Sequence, residues 1–455
     1  MVGIKYGRCH NETFFRLKGK RFHMTNNILI VSAPPLWQKL PPLGPACLSG
    51  YLESRGVQCG VLDLNAFFFN LVGDKYLKSR WTSSVKDIRA DLENLFIKAE
   101  APLKRLLSAI KDGCIGAVGF SIFNLNLKLS VYLAREIRTA YPDITIIAGG
   151  PEVDTHFYNN YISLFDFFVR GEGELALYEL LADPADDYRG RFIEGKEAPL
   201  DNYPPPDFMK FNLDEYESKG SLPVILSRGC LYKCRFCAER LHFKKYRCKS
   251  AESMFGELIC LQNKMGISRF VFYDSIINGD LRVLEKLCDL ITADGLKITW
   301  EAQASVRRDM PERLFSKMKE AGCYNLFVGI ESGSDTVLRK MRKGYGSRDA
   351  LPFLEKCSRS GLNFEISLIT GFPGEGDEEF EETLNFLTAG KGIIKKVAQI
   401  NPFIGYRNLD MVGYAPPPPG IAEKRVARLL AALEENGIKY TRSYINNLTG
   451  YIKDI

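Results

Sequence analysis

The chain has 455 residues, of which 61 are Lys or Arg and 55 are Asp or Glu, giving a net charge of +6. With 45% hydrophobic and 25% charged residues it can bury a real core, so general disorder is excluded, and its length implies more than one domain. The basic excess is too dilute to argue for nucleic acid, and no stretch approaches the roughly 18 to 20 apolar residues that span a bilayer. A cytoplasmic protein with no membrane span and no nucleic-acid partner is the expectation.

Residues 1–23 are basic and without a clear period, and they read as a leader with no structural duty; the first domain is placed at 24–181. From Ile28 the pattern alternates strand and helix: ILIVS (28–32), a Pro/Gly loop, a helix ending near Gly56, and VQCGVLDLN (57–65). Residues 66–112, rich in Phe, Leu and Lys, read as a helical insertion. IGAVGF (115–120), a helix through Leu129, Leu133 and Ile137, ITIIA (144–148) and FDFFV (165–169) complete the series. Short apolar runs separated by amphipathic helices predict buried parallel strands in a doubly wound, Rossmann-like α/β sheet. Such sheets bind ligands where their strands end, and four unusual loops fall there: APPLWQKLPPLGP (33–45), SIFNLN (121–126), GGPEV (149–153) and RGEGE (170–174).

Residues 182–220 lose periodicity and gain Asp, Pro and Gly, which predicts a linker. A second alternating series follows over 221–405: PVILS (223–227), RFVFYD (269–274), KITWEAQA (297–304), NLFVGIES (325–332), FEISLIT (364–370) and VAQINPF (397–403). Six β/α units with polar strand ends predict a partial (β/α)6 barrel with its active site at the C-terminal strand edge. In the last segment, 406–455, four prolines at 416–419 read as a spacer before a short helix over about 421–436.

Twelve cysteines in so long a chain do not form a disulfide scaffold. Cys9, Cys47, Cys59, Cys114, Cys260, Cys288, Cys323 and Cys357 stand isolated in or near apolar segments and read as small buried hydrophobes. Cys230, Cys234 and Cys237 alone form a tight group, CxxxCxxC in SRGCLYKCRFC, on a polar and basic loop directly after the first barrel strand. Three thiolates there can hold three corners of a cubic iron-sulfur cluster and leave the fourth iron open. The rival is zinc with His242 or Cys248 as fourth ligand, although zinc sites more often show paired spacings.

At these residues the sequence resembles the radical S-adenosylmethionine (SAM) superfamily, over about 220–405. The resemblance implies a 4Fe-4S cluster on Cys230, Cys234 and Cys237, whose open iron chelates SAM and reduces it to release a 5′-deoxyadenosyl radical. An external electron donor of the flavodoxin or ferredoxin type follows. The resemblance also places Phe236 by the adenine, Asp274 near the methionine amine, and Gln303, Glu331 and Ser332 by the ribose or methionyl group. Gly371 and Pro373, in TGFPGE (370–375), match the strand-five loop. The family's Gly-Gly-Glu motif is absent near Asp274, and a carboxylate at a strand end could equally pair with a cation such as Arg307.

A doubly wound domain before such a barrel resembles the cobalamin-binding class of the superfamily, through PPLGPACLSGYL (41–52), VGFSIFN (118–124), AGGPEV (148–153) and VRGEGE (169–174). That resemblance assigns cobalamin contacts to Pro42, Leu43, Gly44, Ser121, Phe123, Asn124, Gly149, Gly150, Pro151, Glu172, Gly173 and Glu174. Ser121 to Asn124 would cover the lower face, Gly149 and Gly150 would leave room for the nucleotide tail, and Glu172 and Glu174 would accept from corrin amides. No D-x-H-x-x-G motif is present, and His156 reads as an ordinary helix or surface histidine, so cobalt would carry no histidine. What the resemblance implies is methylation of an unactivated carbon in a small natural-product or lipid precursor. The alternative is a cyclase or rearrangement enzyme that uses the same cofactors without methyl transfer.

Overall fold

The computed structural model describes residues 27–83, 86–182, 190–403 and 419–441. The basic leader 1–23 and prolines 416–418 lie outside the described residues. The described residues fall into two compact units: those up to 198 together with 202–219, and 199–201 together with those from 220 to 441.

The first unit is built on six parallel strands, β1 (Asn27–Ser32), β2 (Gln58–Asp63), β3 (Ala117–Ser121), β4 (Thr145–Gly149), β5 (Phe167–Arg170) and β6 (Arg191–Glu194). Their order is β2-β1-β3-β4-β5-β6, so the sheet reverses its winding between β1 and β3. Alternate residues of each strand serve two separate cores: Leu29, Val31, Val118, Phe120 and Ile146 on one face, Ile28, Ile30, Ala117 and Ile147 on the other. That is the period-two consequence of covering both faces with helices, and it meets the doubly wound expectation. The insertion after β2 is helical, with Leu64–Leu71, Lys75–Ser79, Lys86–Lys98 and Ala101–Asp112 packing Phe68, Trp81 and Phe96 onto the first core.

The segment expected as a linker, 182–220, is ordered differently. RFIE supplies the edge strand β6, which pairs in parallel with β5, and residues 202–219 pack with the first unit. Four residues with a half-exposed pattern carry too little apolar periodicity to announce a strand.

The second unit begins with β7 (Ser221–Val224), then the short antiparallel pair β8 (Ser227–Arg228) and β9 (Arg247–Cys248) that closes the cysteine loop. β10 (Arg269–Phe272), β11 (Thr299–Ala304), β12 (Cys323–Glu331), β13 (Asn363–Thr370), β14 (Lys396–Pro402) and β15 (Lys439–Tyr440) follow. β7 and β10 to β15 form one seven-stranded parallel sheet, in chain order from one edge to the other. The six expected barrel strands are all there; β15 is a seventh, two residues long, that follows the helix Pro419–Glu435 and pairs with β14. Along each strand one set of residues is fully buried under helices (Phe270, Phe272, Trp300, Ala302, Leu326, Val328, Ile366, Leu368). The alternate set, Glu301, Gln303, Asn325, Phe327, Gln399 and Asn401, is only partly covered. These lie in register across the strands, as Glu301 beside Asn325 and Gln303 beside Phe327 show, and define the unit's open face.

Candidate functional site

The cysteine loop leaves the sheet just past β7, and its entry is clamped. Asp274, one position beyond Tyr273 at the end of β10, is fully buried and accepts from the Leu226 amide (3.0 Å), the Ser227 amide (2.6 Å) and the Ser227 hydroxyl (2.6 Å). Burial pushes its carboxyl up to about 6, and those donors hold it back from rising further. Asp274 therefore spends both oxygens on the chain itself, which corrects its assignment to SAM. Nor does it pair with Arg307, which binds Asp309 and the carbonyls of Asn278 and Gly279. Gly229 follows with φ +79°, and a side chain there would meet the Lys245 carbonyl at 2.6 Å, so the loop needs a glycine to turn.

Within the loop Cys234 is buried and Cys230 and Cys237 are half-buried. Burial raises all three thiols, each thiol's charge is felt by another of the three, and the Lys343 ammonium opposes the rise at each. Among the described residues no group of three or more His, Cys, Asp or Glu side chains, the three cysteines included, is gathered tightly enough to hold a single ion. Three soft ligands on one loop, without a fourth, fit a cluster with an open corner; loading it displaces the thiol protons.

Beside the loop stands a buried cation that the sequence reading missed. Lys343 donates to Glu331 Oε1 (3.0 Å) and to the Gly329 carbonyl (3.1 Å), and its ammonium lies 5.5 Å from the centre of the Phe236 ring. Burial works against its charge, but Glu331, Tyr345 and Cys234 outweigh it and hold the lysine above its ordinary value. Glu331 takes a left-handed backbone (φ +69°) at a register shift between β12 and β13, and its second oxygen accepts from Ser367 (3.0 Å). Ser332 is buried against Thr383 and caps the Ser334 amide, so its hydroxyl is structural, again a correction. Gln303 is exposed on the open face, and among the expected polar strand ends it stays available to a ligand. Phe236 packs edge-on to Phe372 at 6.5 Å, which brings the Gly371–Pro373 turn against the cysteine loop. No sequence period marks Lys343, because it sits in a turn between two helices.

In the first unit the ligand edge is the reversal point between β1 and β3. Asn126 ties its two loops together, donating to the carbonyls of Ala33 (3.1 Å) and Ser121 (2.9 Å) and accepting from the Phe123 amide (2.7 Å). The β1 loop is braced by Asn65, whose Oδ1 accepts from the Leu36 amide (2.8 Å) and from the Trp81 indole (2.7 Å). Trp37, unremarked in the sequence reading, is 60% exposed, and Phe123 is 40% exposed. Asn124, Pro151 and Gly44 are exposed, Gly44 with open space where a side chain would go; Pro42, Leu43, Ser121, Gly149 and Gly173 are half-covered.

Gly150 (φ +108°) is a position where a side chain would meet the Ile122 backbone at 2.6 Å. Its role is to let the β3 and β4 loops lock, with Ile122 donating to Gly149 and Glu152 to Ile122. Glu172 is buried and accepts from the Tyr203 hydroxyl (3.2 Å), and Glu174 is buried in the first turn of Gly173–Ala182. His156 is exposed on Thr155–Tyr161. Trp37 and Phe123, on the loops after β1 and β3, expose apolar ring surface that a bound ligand would remove from water.

Two family models match: the radical SAM superfamily over residues 224–387 and the B12 binding domain over residues 80–181. Residues 224–387 thus match a radical SAM domain and residues 80–181 a B12 binding domain, in one chain. Its cofactors are accordingly a 4Fe-4S cluster, SAM and cobalamin. It is 29% identical over 279 residues to an uncharacterized methyltransferase of Pyrococcus horikoshii, covering 56% of this chain and 60% of that one. It is 23% identical over 279 residues to the anaerobic magnesium-protoporphyrin IX monomethyl ester cyclase of Synechocystis sp., covering 55% of this chain and 54% of that one. The chain thus spans 54% to 60% of the length of these two relatives. The cobalamin-dependent SAM radical enzyme OxsB, with aqua-cobalamin bound, shares the fold at a TM-score of 0.64 and 18% identity, over 82% of this chain and 53% of OxsB. Among the described residues no helix is long and apolar enough to cross a membrane.

Proposed function

We propose that the protein is a cobalamin-dependent radical SAM methyltransferase acting on an unactivated carbon of a small molecule, a natural-product or lipid precursor. The observation that carries this reading is the CxxxCxxC loop at the carboxyl end of β7, in one chain with a doubly wound sheet whose reversal point exposes Trp37 and Phe123. The methyltransferase relative supports the reaction class. When bound, the cluster with SAM supplies a carbon-centred radical able to take hydrogen from carbon, and cobalamin supplies the methyl group.

The chain's own residues hold and orient. Cys230, Cys234 and Cys237 hold the cluster, and Asp274 fixes the entry to their loop. Lys343, locked by Glu331, places a permanent positive charge beside the thiols and favours their ionised form. Gln303 and the turn at Gly371 and Pro373 bind SAM on the open face of the sheet. Trp37, Phe123, Pro42, Leu43, Gly44, Asn124 and Pro151 cover the corrin and exclude water from it. A small-molecule substrate is favoured over tRNA, because Cys9, Cys47, Cys59 and Cys114 are too scattered to form a second cysteine trio before Cys230. Electrons come from an external carrier of the flavodoxin or ferredoxin type.

Anaerobic incubation of the reduced, loaded protein with SAM and candidate substrates tests the reading. S-adenosylhomocysteine together with 5′-deoxyadenosine is the expected result. The cyclase relative favours the second reading, in which 5′-deoxyadenosine forms alone. Intact SAM after incubation would refute both.

A further inference from the structure

The helix Pro419–Glu435 buries Val426, Leu429 and Leu433 at 2% exposure or less, which suffices to dock it. It also buries an arginine. The Arg425 side chain is 9% exposed and its partner Glu375 only 1%. Arg425 Nη1 donates to Glu375 Oε2 (2.9 Å), both Nη groups reach the Glu375 carbonyl (3.2 Å), and Nη2 reaches Asp377 (3.3 Å). The guanidinium lies 5.3 Å from the Phe380 ring centre.

Glu375 does more than pair with Arg425: the same Oε2 accepts from the Gly371 amide and from the Thr370 hydroxyl (3.3 Å). It therefore pins the turn 371–375 at the end of β13. From the other side Lys340 donates to the Gly374 carbonyl (2.8 Å). The residue this turn presents is Phe372, 2% exposed, which packs at 5.0 Å on Phe403 and at 6.5 Å on Phe236, between Cys234 and Cys237. Val337 and Met341 complete that cluster, and the Met341 carbonyl accepts from the Arg235 amide of the cysteine loop (2.9 Å).

Desolvating an arginine and a glutamate costs several kcal/mol, so a buried pair adds little to stability over apolar packing. What it returns is a fixed geometry, and here the geometry fixed is the wall of the cysteine loop. We propose that the C-terminal helix is a positioning element of the cysteine site, acting through Arg425 on Glu375, and from Glu375 through Phe372 on Phe236. The proposal rests on the reading of that loop as the holder of the cluster and SAM.

The full chain is compared with Arg425→Met, Arg425→Lys, Glu375→Gln and Arg428→Ala, the last on the same helix but half-exposed against Glu381. Thermal melting identifies variants that fold. Three readouts follow: hydrogen exchange of the Gly371 amide before cluster loading, the electron paramagnetic resonance signal of the reduced cluster with SAM added, and SAM affinity. Arg425→Met is expected to speed Gly371 exchange by about tenfold or more, alter the SAM-induced signal and weaken SAM about tenfold. Arg425→Lys recovers most of this, Glu375→Gln lies between, and Arg428→Ala matches the parent. If Arg425→Met does not fold, Glu375→Gln, which keeps the side chain's shape, carries the same test. Faster exchange with an unchanged signal and affinity would reduce the helix to a structural cap and overturn the proposal. Unchanged exchange would overturn it as well. Failure of the unsubstituted chain to take up iron and bind SAM would overturn the functional reading itself, and is told apart because it precedes any substitution.

Discussion

Both sheets are parallel and both expose the carboxyl ends of their strands, yet they treat the polar residues there in opposite ways. In the second unit the strand-end carboxylates are consumed: Asp274 holds backbone amides, Glu331 holds Lys343, and Glu375 holds Arg425. What they frame is a loop of thiols. In the first unit the edge turns Trp37, Phe123, Pro151 and Gly44 to solvent, with Asn124 the exposed polar side chain beside Phe123. A covalently held inorganic cluster needs its ligands placed to a fraction of an ångström, so a rigid ionic frame suits it. A broad organic ligand is held by area, so exposed rings suit it.

The largest test of this contrast is to remove a thiol. Cys234→Ser should abolish the stable cluster, seen in iron and sulfide counts, while cobalamin binding followed by its absorption bands stays within about twofold. Loss of both cofactors together would break the contrast. Next comes Asp274→Ala, which leaves two buried amides and a hydroxyl without an acceptor and should cost about 3 kcal/mol in urea unfolding, with impaired iron uptake.

A third test uses the exception in the first unit. Asp63, at the end of β2, is a half-buried strand-end carboxylate: it accepts from the Tyr216 hydroxyl (2.6 Å) and the Ala66 amide (3.0 Å), and desolvation pushes it up to about 6. Because the folded chain holds this proton more tightly than the unfolded chain, the stabilisation it brings is complete below about pH 4. It is gone once pH has risen through about 6. Asp63→Asn removes the titration, so the parent should lose about 2 kcal/mol relative to the variant between pH 4 and pH 8, read from urea midpoints. A parallel pH dependence in the two proteins would show that Asp63 is not the group responsible. The smallest effect is expected for Trp37→Ala and Phe123→Ala, each weakening cobalamin by about five- to tenfold, roughly 1 kcal/mol, with iron content unchanged.

The alternation of strands and helices and the spacing of the three cysteines were legible because period and spacing are local properties. Strand ends were legible as places, and Asp274, Ser332, Gly150 and Glu172 were noticed there. What each one touches was not legible, since a backbone amide on a neighbouring strand leaves no mark in the sequence. Asp274 reads as a free carboxylate until the amides of 226 and 227 are seen pointing at it. Lys343 and Arg425 were missed for a related reason: a buried cation looks like any surface lysine or arginine until its partner, 12 residues away for Lys343 and 50 for Arg425, is known. β6 and β15 escaped because four and two residues are too few to show a period.

The brace behind the β1 loop has one further consequence. Asn65 Oδ1 is shared between the Leu36 amide and the Trp81 indole, so the ring and the ligand loop hang from one oxygen atom. Any rearrangement of residues 36 to 38 that frees that amide also changes the hydrogen bonding of the indole, and with it the colour and yield of its emission. The helical insertion thereby gives the molecule an intrinsic optical gauge of the state of its loop, one that needs no label.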